Sequence, residues 1–207
     1  MNSTDSNTHR LGILGGTFDP IHYGHLLMAE TCRQELGLSE VKFLPAGQPP
    51  HKEGRTITDG HARADMIQLA VSGYPEFSVD RRELRRQGLS YTVDTLTEFR
   101  ELLPDAELHL IIGADSLRDF LTWKSPELIC ELATVVAVNR PGLAGLTRER
   151  AIEWVGAGLA GSMKLLSMPG TDLSASHLRE RVRSGLGLRF MTPRAVESFI
   201  DQHQIYG

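Results

Sequence analysis

Cysteine is scarce: Cys32 and Cys130 are the only two in 207 residues. Both fall in helix-period segments, so a disulfide framework and a Cys-rich zinc module are excluded, and a reducing cytoplasm is the expected compartment. Long hydrophobic runs are missing as well. No segment approaches the roughly 18–20 apolar residues of a membrane span, and the opening MNSTDSNTHR lacks the apolar stretch of a secretory signal. Nor is there an excess of positive charge. With 22 Lys and Arg against 26 Asp and Glu the formal net charge is −4, which gives no general pull toward nucleic acid or an anionic membrane. The arginine cluster RRELRR, Arg81 to Arg86, contains Glu83 and reads as a solvated or lightly structural surface. Two phosphate fingerprints are also absent: no GxGxxG follows the first apolar run and no GK[ST] stands in its loop, which weakens both a standard dinucleotide fold and a P-loop.

What is present suits one domain with a real core, at 41% hydrophobic and 23% charged residues. Residues 1–9 are expected to be a loose tail and 10–207 the domain. Short apolar runs alternate with helix-period segments along nearly the whole chain, the pattern of an α/β, doubly wound fold with a mostly parallel sheet. Strands are predicted at 11–14, 41–46, 77–80, 108–113, 134–139 and 163–168, several as continuous apolar runs suited to burial on both faces. Helices are predicted at 25–36, 59–71, 92–103, 116–121, 126–132, 147–155, 175–184 and 193–202. Thr192 before Pro193 reads as an N-cap, and Gly185 as a stop signal after an arginine-rich helix. Val196, Phe199 and Ile200 share an apolar face in the last helix. The polar, Pro-rich stretch 46–58 is expected to be a mobile or functional loop.

Ligands of open α/β sheets bind outside the carboxyl ends of the strands, so the residues that follow each strand are the informative ones. After the first comes GGTFDPIHYGH, after the second GQPPHK, after LHLIIG comes ADS, after TVVAVN comes RPG, and after LLSM comes PGTDLSASHLR. Glycines, hydroxyls and cations thus converge on one edge, a composition that suits phosphate. Gly15 and Gly16 can adopt positive φ and let backbone N–H groups approach an anion, while the following helix offers its positive N-terminus. His22 and His25 share a face at i and i+3. Metal ligation, plain packing and phosphate binding are all open to such a pair, but a zinc site needs a third ligand and none stands at ligand spacing. Ser174 is placed as an N-cap, Ser176 in the first turn, and Arg179 one turn on with a fork suited to phosphate. An ordinary capped amphipathic helix explains the same residues, and Lys52 suits either a solvated loop or a loop that closes over a nucleotide.

Taken together, GGTFDPIHYGH and LSASHLR resemble the nucleotidyltransferase superfamily that carries an HxGH motif early and an ISSTxxR-like motif late. LPAGQPPHK, LSYTVDTL, IIGADSL, Trp123 and RPG then follow in order the pattern of bacterial nicotinate-nucleotide adenylyltransferases, over residues 11–205. The late motif departs from the usual one in that Ala175 supplies no hydroxyl, leaving the second to Ser176. The resemblance implies a Rossmann-like nucleotidyltransferase fold and transfer of the adenylyl group of ATP to nicotinate mononucleotide, with release of pyrophosphate. It implies Mg²⁺ bound mainly by the ATP phosphates, with no side-chain ligands. It assigns His22, His25, Lys52 and Arg179 to the triphosphate as the catalytic set. Gly15, Gly16, Thr17, Phe18, Ser174 and Ser176 go with them as ATP contacts, and Gly113 and Asp115 go to the adenosine. Tyr91, Thr92 and Trp123 would form the pyridine pocket, with backbone N–H groups around Trp123 and Lys124 preferring the acid over the amide. Arg140 is either a contact of the mononucleotide or the cap of a strand end. The nearest rivals are another nucleotidyltransferase of the superfamily, such as one acting on phosphopantetheine, and a nucleotide-binding module without turnover.

Overall fold

The computed structural model describes residues 9–49, 57–139 and 145–207. Six strands, β1 (Arg10–Gly16), β2 (Glu40–Pro45), β3 (Phe77–Val79), β4 (Glu107–Gly113), β5 (Thr134–Asn139) and β6 (Lys164–Ser167), form one sheet in the order β3-β2-β1-β4-β5-β6. Every neighbouring pair is parallel. Parallel strands need crossovers, and here helices supply them. They are α1 (Tyr23–Leu36), α2 (Gly60–Val71), α3 (Arg82–Arg85), α4 (Thr92–Leu102), α5 (Ala114–Arg118), α6 (Pro126–Leu132), α7 (Arg148–Ser162), α8 (Ala175–Arg183) and α9 (Arg194–Gln202).

Alternation along the strands divides the interior in two. Leu14, Val41, Phe43, Ile111, Val136 and Val138 face a core closed by α1, α2, α8 and α9 through Met28, Cys32, Ile67, Leu178 and Ile200. Leu11, Ile13, Leu108, Leu110, Ile112 and Val135 face a second core closed by α4 to α7 through Leu96, Phe99, Leu117, Ile129 and Val155. Burying both faces explains why the strands read as unbroken apolar runs. The order reverses between β1 and β4, so the chain leaves β1 toward the first layer and leaves β4 toward the second. A crevice opens where the two exits part.

Three sequence expectations change in detail. Thr192 is buried and its hydroxyl donates to Ile21 O at 2.8 Å, so Pro193 takes the N-cap position of α9 instead. The helix predicted to end at Val155 runs on to Ser162 across a break at Gly156, whose φ of 81° and ψ of 158° interrupt the helical path. RRELRR is more than a solvated surface. It contributes the short helix α3, buries Glu83, and lays the Arg82 guanidinium 3.6 Å from the centroid of the Phe99 ring. Arg82 also pairs with Asp80, and Arg86 with Glu98. No helix among the described residues is long and apolar enough to cross a membrane. Residues 1–8 of the expected tail lie outside the described residues.

Candidate active site

The crevice between β1 and β4 is a cleft of about 470 Å³. Gly15 and Gly16 at the end of β1 line one side together with Thr17, Phe18 and His25. Gly113 at the end of β4 and Asp115 just past it line the facing side. Tyr91 and Thr92 at the start of α4 and Trp123 and Lys124 after the 3-10 turn Phe120–Thr122 line the far end. Eleven of the residues singled out in the sequence therefore meet in one cavity. They arrive from four separate chain segments.

The glycines act differently from expectation. Neither Gly15 nor Gly16 has positive φ; the left-handed residue of this turn is Phe18, at φ 50°. A Cβ on Gly16 would stand 3.0 Å from the Phe18 ring, so this glycine makes room for the aromatic side chain. Phe18 in turn packs edge-on against His25, with ring centroids 5.0 Å apart, and against Phe43. Fixing a bulky residue at positive φ takes such enclosure, and Phe18 is 2% exposed.

His22 is the N-cap of α1 and is buried, whereas His25 in the first turn reaches the cleft. The two rings stack with centroids 3.8 Å apart, and the His22 backbone N–H donates to His25 Nδ1 at 3.4 Å. In a neutral ring that bond assigns the remaining proton to Nε2. His25 is thereby a hydrogen-bond donor held at a helix N-terminus, where the backbone dipole also favours an anion. The pair is thus a buried N-cap residue and a cleft-lining donor rather than two equivalent side chains.

The late motif comes up beside this turn. Ser174 Oγ caps α8 by accepting from His177 N–H at 3.3 Å, and Ala175 lines the cleft. Arg179 donates through one terminal nitrogen to Asp19 O at 2.7 Å and through the other to Ser176 Oγ at 3.3 Å. Its fork is thus partly engaged in the protein, although each terminal nitrogen carries a second N–H. His22, Ser174, Ser176 and Arg179 are not part of the cleft's lining; His22 is buried, and Ser174 and Ser176 are exposed. Lys52 and Arg140 lie outside the described residues.

At the far end Trp123 is both a packing residue and part of the cleft wall. Its ring packs on Phe120 with centroids 5.4 Å apart and also lines the cavity. The Trp123 N–H closes the turn by donating to Phe120 O at 3.0 Å, whereas no described residue accepts from the Lys124 N–H. Of the two backbone donors expected for a carboxylate, Lys124 is therefore the one the fold leaves in place. The Lys124 ammonium sits 4.7 Å from the centroid of Tyr91 and 2.9 Å from Asp94.

Sequence reasoning missed Asp19, Glu83, Ser90 and Thr95, all of which line the cleft. Ser90 Oγ accepts from the N–H groups of Gly47 and Gln48 and ties the loop after β2 to the Tyr91 side. Burial pushes the Glu83 carboxyl above its ordinary range, opposed by the Thr95 hydroxyl that donates to it at 2.8 Å. The available signal was Glu83 itself, an acid breaking a run of arginines. Among the described residues no group of three or more His, Cys, Asp and Glu is placed to hold a metal ion.

The family model described as "Cytidylyltransferase-like" matches residues 13–181, from inside β1 to the end of the late motif. The "Probable nicotinate-nucleotide adenylyltransferase" of Thermomicrobium roseum is 45% identical over 200 residues, covering 95% of this chain and 91% of that protein. A protein of the same description from Thermus thermophilus is 44% identical, covering 95% of this chain and 99% of that one. Among solved structures, the Plasmodium falciparum nicotinic acid mononucleotide adenylyltransferase complexed with NaAD has a TM-score of 0.75 at 16% identity, covering 95% of this chain and 97% of that chain. The same enzyme complexed with APC gives 0.74, covering 96% and 97%. These two likenesses speak for the fold. With the turn that carries His25 and the aromatic far end meeting in one cleft, and with relatives matched over nearly their full length, the chain belongs to the nicotinate-nucleotide adenylyltransferase family of the cytidylyltransferase-like nucleotidyltransferases.

Proposed function

We infer that the chain transfers the adenylyl group of ATP to nicotinate mononucleotide, giving nicotinate adenine dinucleotide and pyrophosphate. The observation that carries this reading is a single cleft with a phosphate-suited turn at one end and aromatic walls at the other. The turn, with His25 and Arg179 close by, would take the triphosphate, and Gly113 and Asp115 would take the adenosine. Tyr91, Thr92 and Trp123 would take the pyridine ring, and the Lys124 N–H would face its carboxylate. Such an arrangement serves two nucleotides side by side. The aromatic far end has no evident use in a phosphopantetheine enzyme.

The reaction needs placement and charge compensation more than proton transfer. A phosphate oxygen of the mononucleotide attacks the α-phosphorus of ATP in line, the new P–O bond forms as the bond to the β-phosphate oxygen breaks, and pyrophosphate leaves. The attacking phosphate is already ionised at neutral pH, so the imidazole is best used as a donor. His25 Nε2–H, fixed by the bond to Nδ1, would grip oxygens that gain charge in the transition state, and the α1 N-terminus adds to it. Arg179 would hold the outgoing phosphates with the N–H groups that Asp19 and Ser176 leave over. Mg²⁺ held by oxygens of the nucleotide would neutralise charge on the leaving pyrophosphate.

Single displacement leaves no covalent adenylyl-enzyme. Labelled pyrophosphate is therefore expected to enter ATP only when the dinucleotide product or the mononucleotide is present. Exchange with ATP and enzyme alone would contradict the mechanism. The paucity of cysteine and the chain's charge balance also support a cytoplasmic setting without nucleic-acid or membrane partners.

A further inference from the structure

The segment around α9 folds back onto the turn between β1 and α1. Thr192 donates to Ile21 O, and Met191 O accepts from Tyr23 N–H at 3.1 Å. Beyond α9 the Tyr206 hydroxyl donates to Asp19 Oδ1 at 2.6 Å. Asp19 is 3% exposed, yet it lines the cleft. Its other carboxyl oxygen accepts from Thr58 N–H at 3.4 Å, while its main-chain carbonyl is the group that accepts from Arg179. A second buried group works alongside. Arg63, 1% exposed, donates to Thr17 O at 2.6 Å, Ala46 O at 2.7 Å and Thr58 O at 2.8 Å.

A guanidinium buried with its donors on three main-chain carbonyls is expensive unless it fixes those carbonyls, and these belong to the turn after β1, the exit of β2 and the approach to α2. A carboxyl buried beside a polyphosphate site is equally costly. It is tolerable here because a phenol, an amide and the nearby Arg63 charge compensate it. Burial together with Asp19 pushes the Tyr206 phenol above its ordinary range, which keeps it a donor. Asp19 thus links Tyr206 to Arg179. Its side chain answers to Tyr206 and its carbonyl to Arg179.

We propose that Tyr206 is a positioning residue for the ATP half of the cleft: through Asp19, and together with Arg63, it sets the Thr17–Asp19 turn and the orientation of Arg179. The inference rests on the reading of the cleft as an ATP and nicotinate mononucleotide site. None of the hydrogen bonds made by Tyr206, Asp19 or Arg63 goes to Tyr91, Thr92, Trp123 or Lys124, so the effect is confined to one substrate. Removing the Tyr206 hydroxyl leaves Asp19 Oδ1 without its donor, and the carboxyl then reorients at the expense of the bond between Asp19 O and Arg179.

The test is steady-state kinetics on wild type, Tyr206→Phe, Asp19→Asn and the double variant, varying each substrate in turn. Folding is checked by circular dichroism and thermal melting. Tyr206→Phe is expected to raise KM for ATP about tenfold, the scale of one lost hydrogen bond to a charged group, with KM for the mononucleotide within about twofold of wild type. The double variant is expected to be no worse than the more impaired single one, because both act through the same contact. A folded Tyr206→Phe with unchanged ATP parameters, an equal rise in both KM values, or losses that multiply in the double variant would overturn the proposal. Failure of Tyr206→Phe to fold would assign the hydroxyl to stability and overturn it as well. Wild type without turnover defeats the functional reading instead, which separates the two failures.

Discussion

Replacing the His25 imidazole by a methyl group takes one preorganised donor out of the cleft while leaving the His22 N-cap of α1 in place. His25→Ala is expected to lower kcat at least about a hundredfold, the scale of losing a single oxyanion donor; turnover near wild type would contradict the role. Glu83 supports a prediction about stability rather than rate. Burial raises its folded pKa above the unfolded value of 4.5, so the fold binds the extra proton more tightly. The corresponding stability is fully present below pH 4.5 and is lost as pH rises through the folded pKa. Glu83→Gln keeps an acceptor for the Thr95 hydroxyl and removes the titration. Its Tm relative to wild type is therefore expected to climb from pH 4.5 to 7.5, and a flat or falling difference would contradict the assignment. At this scale the sequence was legible where spacing alone carried meaning. His22 and His25 at i and i+3 announced a shared face, but their division into support and donor depends on a main-chain bond that spacing does not encode. Phe18 at positive φ was not legible at all, because two glycines beside it look like the natural site of the unusual backbone.

Elements were legible where both faces are buried, since continuous apolar runs such as LHLIIG and TVVAVN have few other uses. What the period could not show was a helix crossing a non-helical glycine, as α7 does at Gly156, or a four-residue helix inside an arginine cluster. The Thr192 and Pro193 pair failed for a different reason. A threonine before a proline satisfies the local capping rule, but the Ile21 carbonyl 171 residues away claims its hydroxyl, a tertiary preference over a local one. The junction of β4 and α5 supports a substitution. Gly113 has φ −74° and ψ 158°, which alanine adopts freely, yet its added Cβ would stand 2.3 Å from Asp115 Oδ1. The carboxyl is the movable partner. Gly113→Ala is therefore expected to leave Tm within about 2 °C, the scale of surface substitutions. KM for ATP should rise as Asp115 swings away from the adenosine position. An unchanged KM would show that Asp115 does not contact the nucleotide.

Across the whole molecule, the strand order β3-β2-β1-β4-β5-β6 converts scattered motifs into a site. GGTFDPIHYGH and IIGADSL are almost a hundred residues apart, but β1 and β4 are neighbours whose exits diverge, and the cleft forms between them. The rule that ligands gather at carboxyl ends of strands was enough to anticipate this convergence from sequence. Two polar groups, one buried and one half-buried, escaped it. Arg63 lies in α2 and Tyr206 beyond α9, and both look like ordinary surface residues until the chain folds back on the β1 turn. The central claim is that this cleft joins ATP to nicotinate mononucleotide. Its most direct test is pyrophosphate release and dinucleotide formation with ATP and Mg²⁺, offering nicotinate mononucleotide, nicotinamide mononucleotide and phosphopantetheine as acceptors in parallel. Release with nicotinate mononucleotide, at a kcat/KM above that for the amide, is the predicted result; no release with it, or release with phosphopantetheine alone, would contradict the account.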